Sequence, residues 1–200
     1  IESGKLVART IKNGEIQLLN IRDLIESLTI TELQNYNLGL GSASTRTPKQ
    51  KIIANQYTKQ IISQLTGGII TVDGSINEKG KEQGGWGGFG GLVHFGNNLS
   101  ETFRGKIQTN DPQMAELGGI EKALQIISNN QSLKNWTILC DCKNAVSYAN
   151  KTYNLPYKYA DIVQSIHELQ TSIKRQGTLL KIIWIPGHTD NKWNDKADEL

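Results

Sequence analysis

The stretch Ile69-Ile70-Thr71-Val72-Asp73-Gly74-Ser75 constrains the fold of this chain more than any other. Four residues of strand-forming type run into a carboxylate, and the Gly and Ser that follow have turn chemistry. The expectation is a buried strand with Asp73 at its carboxyl end. In open α/β sheets that edge is where ligands bind. An Asp before Gly is also an ordinary turn, so the meaning of Asp73 depends on what the remaining chain brings to it.

Trp136-Thr137-Ile138-Leu139-Cys140-Asp141 repeats the theme, a short apolar strand ending in Asp, and Lys143–Ala149 continues as a helix. A last strand, Leu179–Ile185, ends at Pro186-Gly187-His188. Strand, helix, strand alternation predicts a parallel sheet. Asp111 and Pro112 have the chemistry of an N-cap and a first helical residue. Down that helix Glu116, Ile120, Ala123 and Ile127 share one stripe, so Glu116 points toward the sheet, where a carboxylate is costly unless paired or bound to a cation. Glu121 lies off the stripe and reads as solvated. Ile162, Ile166, Leu169 and Ile173 give Asp161–Gln176 a helical period.

Gly85, Gly87 and Gly90 satisfy the G-x-G-x-x-G spacing, but a strand pattern follows them instead of a helix, which argues against a dinucleotide loop. Leu92–Phe95 and Leu99–Ile107, separated by Gly96-Asn97-Asn98, read as an antiparallel hairpin. Tyr153–Tyr159 is a loop with aromatic and basic residues, suited either to stacking on bases or to packing under the next helix.

Residues 1–68 read as a separate, mainly helical extension: a short strand at Lys5–Ile11, helical patterns over Ile16–Leu38 and Lys49–Leu65, and a linker-like loop at Gly41–Pro48. The net charge of +3 lies in this extension, and residues 69–200 carry none. Nucleic-acid affinity in the second part must therefore come from local arrangement. No apolar run is long enough to span a membrane, and the first residues are not a signal sequence, so the expected location is intracellular, cytoplasmic or nuclear. Two cysteines, Cys140 and Cys142, are too few for a zinc site and read as reduced thiols. The missing initiator Met and the end at Leu200 read as an excised piece of a longer polypeptide.

If the strands that end in Asp73 and Asp141 are neighbours, as the crossover suggests, Asp73, Glu116, Asp141 and Asp198 can converge on one point; taken singly, Asp198 also suits a surface acid and His188 a turn residue. Together they repel unless a cation joins them. Hard oxygen donors without Cys or a neighbouring His suit Mg²⁺ or Mn²⁺, ions that support phosphodiester cleavage.

Residues 69–200 resemble a type 1 ribonuclease H domain, particularly the kind fused to reverse transcriptases in retroelements. The resemblance rests on Thr71-Val72-Asp73-Gly74-Ser75, the glycine-rich second strand, Met114-Ala115-Glu116-Leu117, Asp141-Cys142-Lys143-Asn144-Ala145, and Gly187-His188 through Asn194 to Ala197-Asp198-Glu199-Leu200. It implies an α/β fold with a five-stranded mixed sheet flanked by helices, truncated in its last helix. It implies a metal-dependent endonuclease hydrolysing the RNA strand of RNA–DNA hybrids with two ions, Mg²⁺ or Mn²⁺. The acids Asp73, Glu116, Asp141 and Asp198 would hold the metal, and His188 would assist proton transfer or product release. Gly74, Ser75, Asn110 and Asn194 would touch substrate. A reverse transcriptase domain in the same parent polypeptide would be the partner.

Two departures concern the surroundings of the acids. Cys142 stands where the family usually has Ser, and Pro112 replaces an Asn four residues before the Glu. Two other classes remain at this point: a non-catalytic module of the same fold, and a related metal-dependent DNA nuclease. Complete retention of the acids argues against the first; substrate choice decides the second, since hybrid specificity needs contacts to 2′-hydroxyls that motifs do not fix.

Overall fold

The structure is a computed structural model that describes residues 7–12, 15–35, 38–40, 43–76, 85–96, 100–130 and 132–189. Asn194 and Asp198 lie outside the described residues. Two compact units divide the chain, one holding residues up to Gln64 together with His188 and Thr189, and the other holding Leu65–Gly187.

The first unit opens with an antiparallel pair, β1 (Val7–Lys12) and β2 (Glu15–Asn20), in the register Val7↔Asn20 to Lys12↔Glu15. The helical pattern expected from Ile16 is therefore corrected: its first residues are strand, and helix α1 (Ile21–Ser27) begins only after Asn20. Asn20 makes the change by accepting the Arg22 amide on its side chain at 3.0 Å. Helix α2 (Ile30–Asn35) and helix α3 (Pro48–Ser63) follow. The Thr47–Gln50 capping box and Pro48 fix the start of α3, which buries Ile53, Ala54, Tyr57 and Ile61. Within the segment read as a linker before it, Ala43–Thr45 is a 3₁₀ turn, and buried Arg46 donates to the Leu40 carbonyl at 3.2 Å.

The second unit is built on five strands, β3 (Gly68–Ile76), β4 (Trp86–His94), β5 (Ser100–Gln108), β6 (Asn135–Cys140) and β7 (Leu179–Trp184), in the order β5-β4-β3-β6-β7. β3, β6 and β7 are parallel, while β4 and β5 are antiparallel. This is the mixed sheet expected from the sequence. β3 is central because Ile69, Ile70, Thr71 and Val72 are buried on both faces, the apolar run that a covered strand requires. Helices α4 (Pro112–Asn129), α5 (Lys143–Ala149) and α6 (Ala160–Arg175) flank the sheet. Leu117, Ile120, Leu124 and Ile127 of α4 pack with Ile70, Val72, Trp136 and Ile138 of the sheet and with Val163, Ile166 and Ile173 of α6.

Two local expectations are corrected here, and a third takes both of its alternatives. The Asp73-Gly74-Ser75 triplet is not a turn; β3 runs on to Ile76, because Asp73↔Gly90 through Ile76↔Gly87 keep it paired to β4. Glu121 is half-buried and accepts the Ser165 hydroxyl, because α6 packs beside it. The tyrosine loop divides: Tyr157 is 95% exposed, whereas Tyr159 is buried and hydrogen-bonds Asp111 and Gln113. Among the described residues no helix is long and apolar enough to cross a membrane.

Candidate active site

The last parallel pair of β3 and β6 is Val72↔Cys140, so Asp73 and Asp141 both lie one residue beyond the point where these strands part. That opening lies at the carboxyl end of β6, beside the part of β3 that runs on to Ile76 paired only with β4, and it leaves room for a ligand. Asp73 is held on its other side by the β4 pairing. Asp141 is anchored through its backbone, since its carbonyl accepts the Trp184 indole N–H at 2.8 Å.

Glu116 enters from α4. Asp111 caps that helix by accepting the Gln113 amide at 3.0 Å, and Pro112 occupies its first turn. The start of α4 sits close on β3 because Gly74 has no side chain: a Cβ there would fall 2.4 Å from the Glu116 amide nitrogen. Glu116 is only 8% exposed. Carboxylate oxygens of Asp73, Glu116 and Asp141 all lie within 4.8 Å of one another. Three of the four acids singled out in the sequence therefore converge. Such a group is strained by mutual repulsion when all three are ionised, and a hard divalent cation relieves it.

The surroundings contain features the sequence did not reveal. The Cys140 thiol donates to Glu116 Oε2 at 3.6 Å. Burial, with the charges of Glu116, Cys142 and Asp141 adding to it, pushes that thiol well above the usual range, so it stays protonated as a donor. Burial also raises Cys142, to about 11. Cys142 is the N-cap of α5, yet its side chain makes no capping hydrogen bond. Gly187 faces Asp141, and a Cβ there would lie 2.0 Å from Oδ2.

His188 is exposed, with its backbone in the left-handed region at φ +48°. Ser75 is exposed on β3. The Asn110 side chain lies against the backbone of Gly85, itself at φ +57°, where a Cβ would be 1.3 Å from Asn110 Oδ1. Asp111 has a further task that its capping role concealed: Lys158 and the Tyr159 hydroxyl both donate to its Oδ2, tying the loop before α6 to the start of α4. A basic residue beside a tyrosine in that loop was the only sequence signal for this tie.

Among solved structures, the chain is similar to the PFV RNase H domain at 18% identity, with a TM-score of 0.55 over 69% of this chain and 93% of that one. The N-terminal RNase H domain of a Mycobacterium tuberculosis protein, solved as a fusion with maltose-binding protein, is 16% identical with a TM-score of 0.52 over 68% and 91%. LC11-RNase H1, crystallised in complex with an RNA/DNA hybrid, is 16% identical with a TM-score of 0.52 over 66% and 92%. No curated protein sequence matches the chain. The structural likenesses establish a shared fold, and the sequence model of the RNase H family matches residues 66–200. With two thirds of its length inside that match, the chain belongs to the RNase H family of ribonucleases.

Proposed function

We propose that residues 69–200 are the catalytic domain of an endonuclease that hydrolyses the RNA strand of RNA–DNA hybrids with two divalent ions, Mg²⁺ or Mn²⁺, and that residues 1–68 are an extension of it. The convergence of Asp73, Glu116 and Asp141 within 4.8 Å carries this reading. The donor set fits the ions: all three are carboxylates, and the nearby thiol is protonated and engaged as a donor to Glu116. Asp198 would complete the set as a fourth ligand.

When bound, the ions supply an activated water and stabilise the leaving oxygen of the phosphodiester. The residues of the chain hold the carboxylates ready. β3 and β6 fix Asp73 and Asp141 just past the point where their parallel pairing ends, and the close seat of α4 on Gly74 fixes Glu116. His188 would move a proton or release product from an exposed position. Gly74, Ser75, Asn110 and Asn194 would meet the substrate backbone. A reverse transcriptase domain in the same parent polypeptide would supply the hybrid. The free thiols of Cys140 and Cys142 suit a reducing, intracellular compartment.

Matched RNA–DNA, RNA–RNA and DNA–DNA duplexes, incubated with the full chain and Mg²⁺, test the proposal. Internal cuts confined to the RNA strand of the hybrid are expected. Cleavage of DNA–DNA at a comparable rate would make the protein a DNA nuclease instead, and no cleavage of any duplex would make the domain a binding module.

A further inference from the structure

The face of β3, β4 and β5 turned away from α4 carries a groove. Two cross-strand rows form it, Asp73–Gly90–Arg104 and Ser75–Gly88–Lys106, each set by the strand register. Gly88 and Gly90 make its floor, and the first of these is open above: a Cβ on Gly88 would meet only the Gly105 carbonyl, at 4.0 Å. A cavity of about 520 Å³ covers both rows. A second, of about 600 Å³, continues from Ser75, Gly88 and Lys106 to Trp86, which is 53% exposed.

The β5 side of the groove is cationic. Arg104 and Lys106 are exposed, and among the described residues neither has an ion-pair partner. They are two positions apart on one strand, about 6.8 Å, so they meet separate phosphates instead of sharing one. Three strands set the groove width at about 10 Å between β3 and β5, room for one nucleic-acid strand. A cationic groove with an exposed aromatic at its end is the chemistry that binds single strands, phosphates on the cations and a base on the ring. Its other end is Asp73, a member of the carboxylate cluster.

We propose that this groove binds a single-stranded flank of the substrate, a strand that leaves the hybrid at the carboxylate cluster and runs over Gly90 and Gly88 to Trp86. This rests on the hybrid-hydrolase reading only for what precedes the flank. The preferred substrate is then a hybrid with a single-stranded tail, and not a blunt one.

The test is fluorescence anisotropy of the full chain, without divalent ions so that nothing is cut. The probes are a blunt hybrid and the same hybrid with a tail of RNA or of DNA at either end of either strand. At least one tailed probe is expected to bind about five-fold or more tightly than the blunt one. The double substitution Arg104→Ala/Lys106→Ala should abolish that advantage and lower the salt slope for the tailed probe by about 2, one for each phosphate contact. Trp86→Ala should weaken the tailed probe and leave the blunt one unchanged. Lys174→Ala/Arg175→Ala, on the last turn of α6, removes the same charge elsewhere and should preserve the advantage. Equal binding of blunt and every tailed probe by the wild type would overturn the proposal, as would equal weakening of both probe types by the groove substitutions. If tails bind as expected but Mg²⁺ cleaves no hybrid, the groove stands and the hydrolase reading falls.

Discussion

Gly74 of β3 lies against Glu116 of α4 so closely that a Cβ would sit 2.4 Å from the Glu116 amide nitrogen and 2.5 Å from the Ala115 carbonyl carbon. Both atoms are helix backbone and cannot step aside. Gly74→Ala should therefore push the start of α4 off the sheet, costing about 1–3 kcal/mol of stability and moving Glu116 out of the cluster. Gly187 contrasts with it, because the atom its Cβ would meet is the mobile end of Asp141. Gly187→Ala should change stability by about 0.5 kcal/mol or less, yet raise the Mg²⁺ needed for half-maximal cleavage about ten-fold. Thermal melts alongside Mg²⁺ titrations of cleavage separate the two; equal stability losses would refute the distinction.

Asp73→Asn removes one charge from the three-carboxylate group. Cleavage should be lost while the metal-free fold becomes more stable, because repulsion falls. Mg²⁺ should raise the melting temperature of the wild type more than that of the variant. Undiminished cleavage by Asp73→Asn would remove it from the site.

Cys142→Ser places a hydroxyl at the N-cap of α5, where the thiol is only weakly engaged by the Asn144 and Ala145 amides and forms no full capping hydrogen bond. The expected gain is about 0.5–1 kcal/mol in denaturant unfolding, with cleavage unchanged. A neutral or destabilising result would show that the thiol's packing outweighs a cap.

Asp111 gives a pH dependence. Burial raises its carboxyl, but hydrogen bonds from Lys158, Tyr159 and the Gln113 amide outweigh this and hold it below the usual 3.8. A group lowered in the folded state adds stability above its unfolded pKa and loses it as pH falls through the folded one. Asp111→Asn keeps a capping oxygen and loses the charge, so it should melt lower than wild type at pH 7. The difference should shrink as pH drops below about 4. A gap that stays constant into acid would mean that the Lys158 tie contributes nothing.

The amino-acid order alone was enough for the short apolar strands, the capped start of α4 and the inward stripe of Glu116, because these depend on neighbours in sequence. It misled where a distant partner decided the outcome. Ile16–Asn20 have apolar steps that suit a helix, yet pairing with Val7–Lys12 makes them strand; the dipeptide Asn13-Gly14 between the two runs was the overlooked hairpin signal. Asp73-Gly74-Ser75 has turn chemistry, yet the β4 ladder keeps it extended. Only tertiary structure could decide that Asp73, Glu116 and Asp141 meet, that the Cys140 thiol rests on Glu116, and that Arg104 and Lys106 line up across the glycines from Asp73 and Ser75. Each is a contact between strands or between a strand and a helix, fixed by register and packing, and one residue of slip would turn every one of those strand side chains to the opposite face.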